Sequence, residues 1–134
     1  MAGTLTVDTI QSALSTPTVF KNTSGTEIGQ LCRSWCNYSG TGTAILASFN
    51  ISSVTKPSGG IYVNNLATAM GDANYSVGGT VKSDNTNSYA QVITVQTSTG
   101  SSKTASVYAL RSVSSGPAGA ATGDYVEVMS NIFR

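Results

Sequence analysis

The chain has 134 residues, of which seven are basic and six acidic, with no histidine, two cysteines and one tryptophan. That length accommodates one core burying roughly two-thirds of the unfolded surface, and the scattered, nearly balanced charge offers no basic stripe for phosphates, so nucleic acid is excluded as a partner class. The lack of histidine removes the commonest general base and every Ser-His-Asp or Cys-His arrangement.

Ser, Thr and Gly dominate, yet 40% of the residues are hydrophobic and ten aromatics are spread along the chain. This favours β-structure with small polar side chains on its wet faces over a disordered linker, which lacks the apolar residues to offset chain entropy. Low charge on such faces suits contact with another protein, because interface cores are depleted in charge. The start, "MAGTLTVDTI", has neither the basic nor the apolar region of a signal peptide. No apolar run reaches the roughly 20 residues of a membrane helix, so membrane insertion is not expected. The Asn-x-Ser/Thr matches at Asn22, Asn37, Asn50 and Asn74 are what a Ser/Thr-rich chain gives by chance.

Residues 4–10, "TLTVDTI", set Leu5, Val7 and Thr9 against Thr6, Asp8 and Ile10, the period of two of a half-buried strand. No strand candidate lies close in sequence to cover it. A pleated edge of this kind either docks on its own domain or adds to a sheet in another chain. The second outcome makes Leu5, Val7 and Ile10 the expected anchor. The stretch "QSALSTPTVFKNTSGTEIGQ" follows, with Pro17, Gly25, Gly29 and many hydroxyls, and only Val19 and Phe20 able to anchor anything. It reads as a tether. The division expected is therefore an attachment strand and tether over residues 1–28 and a β domain over 29–134.

Seven strand candidates occupy that domain: "LCRSWCNY", "TAILASFNISSVT", "IYVNNL", "YSVGGTVK", "YAQVITVQ", "KTASVYALRSV" and "DYVEVMSNIF", each followed by turn residues except the last. The spacing predicts an all-β fold, a single antiparallel β-sandwich or barrel-like domain preceded by an extended N-terminal arm. "NNLATAMGDA" holds at most one short helical turn. Gly78 and Gly79 inside a strand mark a bulge or a close backbone approach.

In "LCRSWCNY" two cysteines flank the tryptophan, but one subunit cannot complete a four-ligand zinc site from two thiols and no imidazole. On a strand, four residues at about 3.3 Å each separate Cys32 and Cys36 by roughly 13 Å, beyond the ~7 Å limit for a disulfide. Cys32, Ser34, Cys36 and Tyr38 share one face; Leu31, Arg33, Trp35 and Asn37 share the other. The thiols then act as small apolar residues, with a link between subunits or a metal shared between them as the alternatives. Free thiols fit assembly in a reducing compartment.

No acid pair is implied for general acid–base work. Asp124 and Glu127 fall in one strand candidate with opposite parity, and Asp72 and Asp84 sit in separate loops, so each reads as a solvated acid. "SDNTN" at 83–87 lacks the carboxylates and the placed glycine of a calcium loop and reads as a hairpin turn. "GTGT" and "SVGG" carry no phosphate-loop lysine and open no helix. No cofactor or metal is expected. The aromatics Trp35, Tyr38, Phe49, Tyr62, Tyr75, Tyr89, Tyr108, Tyr125 and Phe133 fall one or two per strand candidate, the usual filling of a sandwich core and its rim; a carbohydrate platform could use the same residues.

The run "WCNYSGTGTAILASFNISSVTKPSGGIYVNNLATAMGDANYSV", with "TLTVDTI" before it and "VMSNIFR" at the end, resembles a group of small β-rich virion proteins of tailed bacteriophages, cyanophages included, described as tail-fibre or virion structural proteins. The match is carried by Trp35 to Thr55 and Ala69 to Tyr75, and spans residues 31–78 well and the tail of the chain more loosely. The resemblance implies a non-enzymatic module on a virion, assembled in the host cytoplasm, used as a homotrimer and attached by an N-terminal segment. Cys32 and Cys36 depart from the small or apolar residues expected there. With no heptad seam for a shaft, the chain would form a stub fibre or a knob.

Three functions follow as expectations. The first is a surface-exposed trimeric short tail fibre whose arm docks on a tail, portal or capsid component and whose loops at 56–60, 83–88 and 98–103 touch a host surface, possible glycans included. The second is a capsid decoration or cement protein covering capsid joints. The most distant is a carbohydrate-binding module.

Overall fold

The computed structural model describes residues 6, 7, 9, 19–83, 90–96, 103–116 and 119–133. The chain divides into two compact units, Met1–Leu31 and Cys32–Arg134.

In the first unit, β1 (Val19–Lys21) and β2 (Glu27–Gln30) pair antiparallel, with a register shift between Phe20 and Lys21. The stretch read as a tether thus contains a hairpin. Its turn is organised by one side chain: Asn22 Oδ1 accepts from the backbone N–H of Ser24 at 3.1 Å and of Thr26 at 2.8 Å, and from Ser24 Oγ at 2.7 Å. Gly25 supplies the φ of +82° that such a tight turn needs. The Asn-Thr-Ser-Gly cluster that reads as linker composition is a turn sequence. Of the expected anchor residues, Val7 is 47% exposed; Leu5 and Ile10 lie outside the described residues.

The second unit is all-β, with no helix among the described residues. β3 (Cys32–Ser39), β4 (Ile45–Phe49), β7 (Ser76–Lys82) and β11 (Glu127–Phe133) form an antiparallel sheet in the order β4-β3-β11-β7. β5 (Ile51–Ser58), β6 (Ile61–Leu66), β8 (Ala90–Val95), β9 (Val107–Gly116) and β10 (Gly119–Thr122) form the other. In this second sheet β9 pairs with β6 over Val107–Arg111, with β10 over Val113–Gly116, and with β8 over Leu110–Ser115. The alternation of apolar and polar residues that predicts a sandwich is realised directly: β6 buries Tyr62, Asn64 and Leu66 and β11 buries Val128, Ser130 and Ile132, every second residue in each.

The core between the sheets is rich in tyrosine. Tyr38, Tyr62, Tyr108, Leu110, Val128 and Ile132 are fully buried, with Val54, Leu66, Met70, Tyr75 and Cys36 completing the cluster. Tyr38 and Tyr62 meet edge to face at 5.4 Å. Most of the hydroxyls find partners: Tyr108 Oη shares a 2.8 Å hydrogen bond with Ser130 Oγ, Tyr62 Oη donates to Gly40 O at 2.8 Å, and Tyr75 Oη reaches Thr104 O at 2.7 Å. Tyr38 Oη and the Asn64 amide, buried beside one another, have none of acceptable geometry among the described residues.

Several strand boundaries differ from expectation. "TAILASFNISSVT" is two strands, β4 and β5, because Asn50 takes a left-handed φ of +57° and turns the chain from one sheet into the other. "SSGPAGAATG", read as a turn, holds the end of β9 and β10. Asp124 precedes β11, which begins at Glu127. "NNLATAMGDA" contains no helix: it continues β6 to Leu66 and then bends. The glycines of β7 make no bulge, since its pairing with β11 runs in unbroken register from Ser76 to Lys82. They mark close approach instead, as a Cβ on Gly79 would lie 2.9 Å from Met129 O and 3.2 Å from Ile93 Cγ2.

Candidate functional site

The β4-β3-β11-β7 sheet has an inner face committed to the core and an outer face open to solvent. On β3, Ser34, Cys36 and Tyr38 point inward and are buried, while Arg33, Trp35 and Asn37 alternate outward. Cross-strand register then fixes the outer rows. Trp35 stands opposite Phe49 on β4 and Asn131 on β11, and Asn131 stands opposite Gly78 on β7. The next row is Ala47, Asn37, Met129 and Thr80.

Three aromatics on this sheet are largely in water: Trp35 at 41%, Phe49 at 54% and Phe133 at 46% exposed. All five residues of β4 are exposed, Ile45 and Leu46 among them. An edge strand of this composition, without charge or proline, lacks the usual devices that blunt an open edge.

Two hollows flank the Trp35–Phe49 pair. One, of about 450 Å³, is lined by Trp35, Asn37, Gly78, Thr80, Met129 and Asn131 among others. Its floor exists because Gly78 has no side chain: a Cβ there would come within 2.5 Å of Asn131 Oδ1. The other, of about 390 Å³, is lined by Arg33, Phe49, Asn50, Ala67 and Thr68. No carboxylate among the described residues pairs with the half-buried Arg33. At the far rim, Lys82 Nζ donates to Glu127 Oε1 at 2.7 Å and Asn37 Nδ2 to Glu127 Oε2 at 3.2 Å. These bonds, Lys82 first, hold the Glu127 carboxyl below its ordinary pKa.

The acids considered for chemistry are engaged elsewhere. Asp124 accepts from Gly60 N at 2.8 Å and Tyr62 Oη at 3.3 Å through Oδ1, and pairs with Lys56 at 2.9 Å through Oδ2. Lys56 also donates to Thr41 O at 2.7 Å. This clamp ties the turns at 40–43, 59–60 and 123–124 together. Partial burial pushes the Asp124 pKa up, but the bonds from Lys56 and Gly60 outweigh it and the net shift is downward. The solvated-acid reading is corrected for Asp124 and Glu127: both are partners in structural networks. Asp84 lies outside the described residues.

Both cysteines are free thiols. Cys36 is in the core, where burial pushes its pKa up to about 11, and Cys32 Sγ donates to Ser34 O at 3.1 Å. Among the described residues no group of three or more His, Cys, Asp or Glu could hold a metal ion. Of the loops expected to touch a host, residues 84–89 and 97–102 lie outside the described residues, and 56–60 is held by Asp124.

Of the aromatics expected to fill the core and its rim, Tyr38, Tyr62, Tyr75, Tyr108 and Tyr125 are buried and Trp35, Phe49 and Phe133 are exposed, while Tyr89 lies outside the described residues. Strand parity already places Arg33, Trp35 and Asn37 on one side of β3. That Phe49 and Asn131 flank Trp35 depends on register, which parity within one strand does not contain. Comparison of the chain with known protein families, with curated proteins and with solved structures finds no match.

Proposed function

We propose that this chain is a non-enzymatic structural protein of a bacteriophage virion: a surface-exposed, trimeric, short tail-fibre-like body held to the particle through Leu5, Val7 and Ile10 of its N-terminal arm. The observation that supports this best is the outer face of the β4-β3-β11-β7 sheet, where Trp35 and Phe49 stand side by side in water. Exposed aromatics with charge confined to the rim are the composition of a contact surface. A sheet backed by a packed core presents them rigidly, so little ordering is lost on contact.

The virion context comes from the resemblance carried by Trp35–Thr55 and Ala69–Tyr75. In this reading the arm binds the particle, and several copies of a weak contact made by the sheet add up. A capsid decoration role would use the same face against capsid joints and leave it covered.

Deleting residues 1–10 tests the assignment. The truncated protein is expected to keep the melting temperature and circular dichroism of the full chain and to be missing from purified particles. Retention at the normal copy number would overturn the role of the arm.

A further inference from the structure

We propose that the outer face of the β4-β3-β11-β7 sheet binds a short acidic oligosaccharide, with a sugar ring stacked on Trp35 and a sugar carboxylate held by Arg33. This deepens the reading of that face as an outward contact surface and rests on it.

The hollows on either side of the Trp35–Phe49 pair, about 450 Å³ and 390 Å³, each fall in the size range of small-molecule sites. Along β3, Arg33 and Asn37, whose amide meets Glu127, lie four residues apart, about 13 Å at 3.3 Å per residue, which suits a few linked rings better than a single one. Gly78, across β11 from Trp35, keeps the floor low there, so a ring can lie flat beside the indole.

Chemistry narrows the class. A sugar presents an apolar face of C–H groups and a rim of hydroxyls. Trp35 offers the flat apolar partner, while Asn131 and Thr80 beside it and Thr68 in the hollow of Arg33 offer an amide and hydroxyls. A peptide would favour deep apolar pockets for its side chains, and nucleic acid would require several cations, where this face has Arg33 at one end and Lys82, already paired, at the other.

Charge chooses among sugars. Arg33 lines the second hollow with no carboxylate partner among the described residues, in a chain that carries few cations. Its planar fork fits a carboxylate in two parallel hydrogen bonds. Glu127 at the opposite rim sets the direction, because it repels a second acid there and leaves neutral hydroxyls to meet Asn131 and Thr80.

Trp35 is the chain's only tryptophan, so its fluorescence reports on this face alone. The purified full-length protein is titrated with trigalacturonic acid, with its methyl ester and with a sulfated galactose trisaccharide, and calorimetry is run in parallel. Expected are a saturable change in Trp35 emission with trigalacturonic acid, binding at least tenfold weaker for the ester and the sulfated sugar, and loss of that preference in Arg33→Gln with an unchanged melting temperature. Equal binding of acid and ester, tighter binding of the sulfated sugar, no heat with millimolar trigalacturonic acid, or a preference that survives in Arg33→Gln would each overturn the proposal. None of these readings depends on attachment to a particle, so failure here and failure of the arm assignment are separable.

Discussion

The Asn50 carboxamide grips the backbone of Thr68 at both polar atoms, accepting from Thr68 N at 2.7 Å and donating to Thr68 O at 3.1 Å. The same Nδ2 donates to Arg33 O at 3.2 Å, and Ala67 N donates to Asn50 O at 3.2 Å. One residue therefore joins the β4–β5 corner to β3 and to the end of β6 while adopting a φ of +57° that few side chains tolerate. Asn50→Ala is expected to cost about 2–3 kcal/mol, from lost hydrogen bonds and the left-handed backbone. Asn50→Gly, which relieves only the backbone, should cost less. Urea melts of the two variants check the order, and equal losses would remove φ from the explanation.

The two glycines of β7 should respond differently to alanine. A Cβ on Gly78 meets the far end of the Asn131 side chain, which can swing away, whereas one on Gly79 meets the Met129 backbone oxygen and Ile93. Gly79→Ala should therefore cost about 1–3 kcal/mol by overpacking, and Gly78→Ala less than about 1. Gly78→Ala has a second consequence: it raises the floor beside Trp35 and should weaken any ligand of that hollow at a smaller loss of melting temperature than Gly79→Ala.

The tyrosine core supplies a paired test of hydrogen bonding. Tyr108→Phe strands Ser130 Oγ in the core and should cost about 1–2 kcal/mol. Tyr38→Phe deletes a buried hydroxyl that lacks a well-formed partner, so it should be neutral or mildly stabilising. Thermal melts of both variants in one buffer decide the matter.

Stability should fall at both pH extremes for separate reasons. Asp124 and Glu127 have pKa values lowered from 3.8 and 4.5, so their contribution is complete above those values and is lost as pH falls through the folded ones. Burial pushes Tyr62 and Tyr75 up from 10.0 to about 12, so the folded state favours the neutral phenols; that contribution is whole below pH 10 and is lost as pH rises towards 12. Asp124→Asn should lower stability by about 1 kcal/mol at neutral pH, as expected for a partly exposed ion pair, and flatten the acid limb. Melting temperature against pH for the two proteins measures this.

Thiol reactivity separates the cysteines. Cys36 is 1% exposed, with its pKa raised to about 11, and should resist a thiol reagent at neutral pH until the protein unfolds. Cys32 is only partly buried and should react first. Mass spectrometry after a timed labelling pulse identifies the modified residue, and labelling of Cys36 ahead of Cys32 would contradict the placement of β3.

Much of the fold is legible in the sequence because period-two alternation is a local property. The inward set of β3 and the alternating burial of β6 and β11 follow from it. Boundaries set by a single backbone angle or by tertiary pairing are less visible. Asn50 looks like one more polar residue in an apolar run, and "GPAGAAT" becomes a strand only because β9 lies beside it. The open face was half legible: parity exposes Trp35, while its neighbours Phe49, Asn131 and Gly78 come from strands far apart in sequence. Asp124 looks like a loop acid until the fold brings Lys56 and Gly60 to it.

The measurement that bears most directly on this account is the density of the chain on an intact particle. The account predicts residues 1–10 lying beside a strand of another virion protein, with the Trp35–Phe49 face turned to open solvent. An arm folded against its own body with no other chain beside it, or that face sealed against the capsid, would contradict it.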